Sequence, residues 1–183
     1  MLDQGVLRER NWTEAELVDA GFQYYSCRKR VVMVRELPAS EAPLTIRTAW
    51  DILIAGAGYR ICFRAGDTVR QSLYEYPHWP VRPDHFQDLY RAWDDPDWHP
   101  SLAESHLMSL GCAPYYRRMG VWAKKLAAPQ VVQTVESPDP AVVPAGAWLC
   151  IAAQGSGWGT PYSMSDEAFC ARYLLASDRS DDQ

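Results

Sequence analysis

The sequence holds no run of about 20 apolar residues, the length a membrane-crossing helix needs, and its mean hydropathy is −0.31. That speaks against a helical membrane protein. A sustained lysine and arginine stretch is missing too. The 18 basic residues stand against 23 acidic ones, for a formal charge of −5. Nucleic-acid binders draw most of their affinity from neutralising phosphates, so this balance excludes nucleic acid as an expected partner. Residues Met1 to Arg10 carry charges where a secretory signal has its apolar centre. The expectation is a soluble, cytoplasmic protein.

Cysteine spacing excludes further classes. Cys27, Cys62, Cys112, Cys150 and Cys170 are odd in number and never form a Cys-x-x-Cys pair. A zinc knuckle or a dithiol redox motif is therefore not expected. Buried, reduced thiols are expected instead, with Cys150 inside an apolar strand. Gly155-Ser156-Gly157 is not a nucleophile elbow, which needs Gly-x-Ser-x-Gly at a strand-to-helix turn. Gly56-Ala57-Gly58 is too short for a dinucleotide fingerprint. Asp94, Asp95, Asp97 and His99 are residue types that hard cations take, but their order does not follow the calcium loop. A solvated acidic linker accounts for them, and neither a metal nor a cofactor is expected.

Aromatic residues are plentiful: eight Trp, ten Tyr and four Phe. Such side chains build cores and ligand walls alike. Several recur at fixed spacing, the signature of internal duplication. Val31-Val32, Glu36 and Pro38 match Val131-Val132, Glu136 and Pro138, 100 positions on. Ala49-Trp50 matches Ala147-Trp148 at an offset of 98. Trp79, Val81, Asp84, Phe86 and Tyr90 match Tyr162, Met164, Glu167, Phe169 and Tyr173 at 83.

Local signals fill in the elements. Thr13 and Glu16 form a capping box for a helix over 14–20, closed by Gly21. Val31 to Leu37 is β-branched and reads as a strand. Thr48 to Ala55 reads as a strand buried on both faces, with Arg60 to Phe63 pairing back on it as a hairpin. Prolines make 73–81 either an edge strand or irregular. Pro83 opens a helix whose Phe86, Leu89, Tyr90 and Trp93 share one face. Pro100 opens another, running to Leu110. Val131 to Glu136 is a strand, and so is the buried run Ala147 to Ala153. A glycine-rich turn covers 154–159. Ser165 caps the last helix, and the polar end from Ser177 is expected to fray.

The predicted fold class is α+β. Two pseudo-twofold-related β-β-(β)-α repeats pack as one curved, mainly antiparallel sheet or barrel-like core with flanking helices. The predicted division is an N-terminal helical segment over 1–21, repeat 1 over 22–93, a linker with a short helix over 94–116, repeat 2 over 117–176 and a disordered tail over 177–183.

The run Ala147-Trp148-Leu149, Gly155, Tyr162 to Phe169 and Tyr173 resembles the short bacterial and phage family named for its Pro-Gly-Asp-Tyr-Gly (PGDYG) motif. Pro144-Ala145-Gly146-Ala147-Trp148 lies at the motif position, with Ala147 where that family has aspartate. Copy one has Thr48-Ala49-Trp50 there, without the glycine or the aspartate. The resemblance covers some 50 residues per copy and implies a fold, not a chemistry.

Three functions fit. The first is a binding module. Trp50, Trp79, Trp148, Trp158 and Tyr162 would wall a groove between the repeats, for a small, partly apolar ligand or a partner's peptide segment. Arg28, in the basic run 28–30, and Lys124 precede equivalent strands and would hold an anionic group. The second is a cofactor-free lyase, isomerase or cyclase, in which Glu36 or Glu136 works with His78 and Tyr162 as acid–base partners. The third is a structural protein whose aromatics are all core. Either monomer or homodimer is compatible with the sequence.

Overall fold

A computed structural model of the chain describes residues 5–153 and 158–175. In chain order the elements begin with β1 (Val6–Leu7), β2 (Arg10–Asn11), α1 (Glu14–Asp19), β3 (Gln23–Cys27) and β4 (Val32–Glu36). Then come β5 (Leu44–Arg47), β6 (Ile52–Ala55), β7 (Arg60–Phe63), a 3-10 turn at Leu73–Glu75, β8 (His78–Val81), α2 (Pro83–Leu89) and β9 (Tyr90–Ala92). The rest are α3 (Leu102–Ser109), β10 (Ala113–Arg117), β11 (Val121–Lys125), β12 (Gln130–Val132), β13 (Ala141–Val143), β14 (Trp148–Ala153), β15 (Trp158–Met164), α4 (Asp166–Arg172) and β16 (Tyr173–Leu175). The architecture is α+β, mostly antiparallel, with few and short helices.

The chain forms two compact units. Unit 1 takes residues up to 28, 47–54 and from 119 on; unit 2 takes 29–46 and 55–118. Unit 1 holds a six-stranded antiparallel sheet in the order β16-β3-β11-β14-β15-β2, and a small sheet β1-β12-β13. Unit 2 holds a five-stranded antiparallel sheet in the order β8-β7-β4-β10-β9. Every sheet has two free ends. The expectation of one sheet or a barrel-like core is therefore corrected to separate open sheets.

The large sheet of unit 1 is covered on both faces, because alternate side chains leave a strand on opposite sides. Leu149 and Ile151 join Trp12, Leu17 and Phe22 on one face. Cys150, Val121 and Ala123 join Tyr25, Phe169 and Tyr173 on the other. Unit 2 buries Met33, Ile61 and Phe63 against Tyr76 and the α3 residues Ala103 and Leu107. Both helices that follow a loop are capped alike: Thr13 with Glu16 at α1, Ser101 with Glu104 at α3, each box satisfying two otherwise unpaired backbone groups. Gly21 and Gly111 end them at φ +86° and +94°, a conformation that costs a residue with a Cβ. Five free cysteines are present, with Cys62, Cys112 and Cys150 buried.

Strand for strand, the two large sheets share a pattern. β10 meets β4 with Ala113, Pro114 and Tyr115 opposite Val34, Met33 and Val32. β3 meets β11 with Gln23, Tyr24 and Tyr25 opposite Ala123, Trp122 and Val121. The β4–β7 and β11–β14 ladders agree in the same way, with Cys62 opposite Val34 and Cys150 opposite Ala123. So do β7–β8 and β14–β15, with Trp79 opposite Cys62 and Tyr162 opposite Cys150. The equivalent positions lie 90, 89, 88 and 83 residues apart.

Several sequence expectations are corrected. The match at offset 100 fails: β4 is central in its sheet, whereas Val131 and Val132 sit in the small sheet and that strand stops at Val132. Thr134 and Ser137 then bond through their hydroxyls at 2.7 Å and turn the chain. The match at offset 98 also fails, since Trp148 opens β14 while Trp50 lies in a turn. There Thr48 N–H donates to the Asp51 carbonyl at 2.9 Å, breaking the expected strand Thr48–Ala55. What remains is β6, with Ile52 and Ile54 38% and 40% exposed rather than doubly buried. The expected hairpin is absent, because β7 pairs with β4 and β8 instead. The helix from Pro83 stops at Leu89, and Tyr90 turns extended at φ −119°, ψ 153° to join the sheet edge. The glycine-rich turn at 154–157 and the tail from 177 lie outside the described residues.

Candidate functional site

Unit 1 contains a cleft of about 520 Å³, between residues 47–52 on one side and 138–142 on the other. That volume is in the range of small-molecule sites, roughly 300–1,000 Å³. Its first wall is the turn just described. Thr48 Oγ1 accepts from Asp51 N–H at 2.9 Å, and Asp51 Oδ1 accepts from Ile52 N–H at 2.7 Å. The second wall is tied to the first. Ser137 donates its hydroxyl to Asp51 Oδ2, so Thr134 must be the donor to Ser137. Ile54 N–H reaches the Glu136 carbonyl at 2.8 Å. Trp50 donates its indole N–H to Ser163 Oγ at 2.7 Å and packs its ring against the first core cluster. Val142, on the far wall, is 58% exposed. Arg47 and Asp139 also line the cleft, and neither is ion-paired among the described residues.

The remaining candidates sit as follows. Glu36 pairs with Arg60 at 3.0 Å in unit 2. Glu136 lies in unit 1, in the turn after β12, so the two are not at equivalent strand positions as expected. His78 Nδ1 lies 2.7 Å from the Tyr76 carbonyl; the carbonyl can only accept, so the hydrogen sits on Nδ1. Its ring is 5.7 Å from Phe63 and 5.4 Å from Tyr74. Trp79 donates to Tyr90 Oη at 3.5 Å, and Tyr162 and Tyr173 share a hydroxyl contact at 3.1 Å. Trp148 stacks on Phe169 at 3.8 Å and donates to Asp166 Oδ1 at 2.7 Å. Lys124 donates to the Ala20 carbonyl at 3.0 Å, at the end of α1, and lies 4.8 Å over the Phe22 ring. Arg28 is half-buried, its backbone N–H bonded to the Arg172 carbonyl at 2.8 Å. The Trp158 side chain lies outside the described residues. Among the described side chains of the proposed ligand-binding set, only Trp50 lines the cleft. Arg47 and Asp139, which bear no motif, were not singled out from sequence. Among the described residues no three His, Cys, Asp or Glu side chains gather as a metal site, and no helix is long and apolar enough to cross a membrane.

Unit 2 carries one strongly polarised cluster. Arg35 donates through both terminal nitrogens to the two Glu41 oxygens, each at 2.8 Å, and Tyr74 adds a bond at 2.7 Å. Arg35 first and Tyr74 next hold the Glu41 carboxyl down at about 2. Burial first and the hydrogen bond to Glu41 next push the Tyr74 phenol up to about 12. The depressed carboxyl adds stability that is complete above about pH 4.5 and is lost as pH falls toward about 2. The raised phenol adds stability present below about pH 10 and lost as pH climbs through about 12. In melting temperature against pH, Glu41→Gln should flatten the acid arm and Tyr74→Phe the alkaline arm.

Comparison of the chain with protein-family models, with curated proteins and with solved structures finds no match.

Proposed function

We propose that the chain is a tandem duplication and that it serves as a binding module. Its ligand is small, flat and partly apolar, carries an anionic group, and sits in the cleft between 47–52 and 138–142. The shared strand pairing supports the duplication. On that alignment 37–59 and 126–147 are equivalent insertions, each joining a central strand to its neighbour. The cleft forms where the 47–52 turn of one insertion meets the 138–142 loop of the other.

The observation that carries the reading is a cleft lined by both Trp50 and an Arg47 that has no ion-pair partner among the described residues. An aromatic acid or aryl phosphate would lie along Trp50, Ile52 and Val142, and its anion would take charge-assisted bonds from Arg47. Glu36, Glu136 and His78 do not line the cleft, so the acid–base alternative has no observation in its favour.

The test is a thermal-shift series with aryl carboxylates and aryl phosphates. A compound at about 100 times its Kd should add roughly 2.7 kcal/mol, or about 5–10 °C for a chain of this length. Arg47→Ala, an exposed change, should abolish the preference for anions, and Trp50→Ala should abolish the shift. No shift from any compound, or a shift that survives both variants, contradicts the proposal.

A further inference from the structure

We infer that the two copies have exchanged their leading helix–strand arms within the chain, and that the same arm can be donated to a second copy of this chain. The inference rests on the duplication proposed above.

Each half of the sequence carries one arm, α1–β3 or α3–β10, followed at once by its own body strand, β4 or β11. Yet β3 pairs with β11 and β16, and β10 pairs with β4 and β9. Each arm thus completes the sheet of the other copy's body. Of the four places where the chain crosses between units, two bracket 47–54 and the other two, Arg28–Lys29 and Arg118–Met119, come directly after an arm. Both arms are closed internally by one matching bond and docked by another. Phe22 N–H to the Leu17 carbonyl matches Cys112 N–H to Leu107, at 2.9 and 3.0 Å. Arg28 N–H to Arg172 matches Arg118 N–H to Leu89, both at 2.8 Å.

An arm folded back on its own body would keep these contacts. Tyr25 would face Val32 across a loop of residues 26–31, and Tyr115 would face Val121 across 116–120. Loops of about that length close β-hairpins, and exchange of an identical element is a low-cost route to association. Closed and exchanged forms therefore differ mainly at the two crossings that follow the arms, and both of these are clamped. Lys29 bonds Asp94 at 2.6 Å, with its ammonium 4.5 Å from the Tyr116 ring centre and 5.4 Å from that of Trp93. Gly120 N–H donates to Tyr24 Oη at 3.0 Å. These clamps hold the exchanged form, and loosening them frees an arm for another chain.

The test uses the full chain with Cys27→Ser, Cys170→Ser, Cys62→Ala, Cys112→Ala and Cys150→Ala, since Cys62 and Cys150 lie opposite Val34 and Ala123, and a protease site within 94–100. Opposed antiparallel residues lie about 4.5–5.5 Å apart at Cα, within disulfide reach. Gln23→Cys with Ala123→Cys should crosslink, so that after cleavage the halves run together on a non-reducing denaturing gel. Gln23→Cys with Val34→Cys should keep its thiols. Ala113→Cys with Val34→Cys asks the same of the other sheet and serves if the first pair does not fold. Halves that separate, or thiols consumed in the Gln23–Val34 pair, overturn the exchange. A chain bearing Gln23→Cys, refolded at high concentration with one bearing Ala123→Cys, should give an inter-chain disulfide, increased several-fold by Lys29→Ala. No inter-chain product in either background overturns donation to a second copy.

Discussion

Phe169→Ala and Phe86→Ala should each cost about 3–5 kcal/mol, the range for removing a buried phenylalanine. Phe169 is 2% exposed and Phe86 7%. Each is the centre of one aromatic cluster, and the clusters correspond. Phe169 lies 5.0 Å edge-on from Tyr25 and 5.0 Å from Tyr173. Phe86 lies 5.0 Å edge-on from Tyr115 and 4.9 Å from Tyr90. In each pair the first partner belongs to an arm and the second to an edge strand, so one ring joins helix, arm and edge. Against a typical stability of about 5–15 kcal/mol, either loss should lower the melting temperature by roughly 10 °C. Calorimetry on both variants checks it. A loss below about 1 kcal/mol in either would show that its ring is not the keystone of that unit.

Gly120→Ala should be nearly as damaging, by about 3 kcal/mol, because overpacking forces backbone and rotamers to shift. A Cβ at residue 120 would overlap the Tyr25 carbonyl oxygen and come 2.6 Å from the end of the Tyr24 ring. The carbonyl belongs to β3, the strand that β11 pairs with just beyond Gly120. The requirement is for space: this glycine does not have the positive φ of Gly21 or Gly111. Denaturant melts should show the loss, and amide exchange should show it concentrated in β3 and β11. Wild-type protection there would mean the chain enters β11 by another path.

Much of the fold was legible because local chemistry and burial agree. Thr13 and Glu16 fix the start of α1, Pro83 that of α2 and Ser165 that of α4. The run through Leu149 and Ile151 is buried as its composition demands. From Trp79 to Tyr90 and from Tyr162 to Tyr173 the chain runs strand, helix and edge strand over one length, which is why the aromatic spacing stands out in the sequence. Ser101 and Glu104 are equally plain a signal for α3, and sequence reasoning passed over them for Pro100.

What misled was chance likeness. Ala49-Trp50 and Ala147-Trp148 share letters, but Trp50 sits in a turn that Thr48 and Asp51 close by side-chain bonds. The equivalent of Trp148 is Arg60, which lies over Phe86 at 5.8 Å as Trp148 lies over Phe169. Cation and aromatic do the same stacking task there, so identity fails where geometry holds. Phe22 to Tyr25 already reads as a strand or its approach, overlapping β3, whereas β10 and β11 were hard to see for another reason. Pro114 can donate no ladder bond and Lys124 turns to the Ala20 carbonyl at the end of α1, so neither strand shows a clean alternation. The cleft was half legible: Trp50 stands out as an aromatic, but Arg47 and Asp139 gain meaning only once two loops distant in sequence meet.

Backbone proton contacts across the central strand pairs, measured by NMR on the intact chain, test the account most directly. It predicts cross-strand contacts between Tyr25 and Val121 and, in the same register, between Tyr115 and Val32. Contacts joining Tyr25 to Val32 and Tyr115 to Val121, or unlike registers in the two sheets, would contradict it.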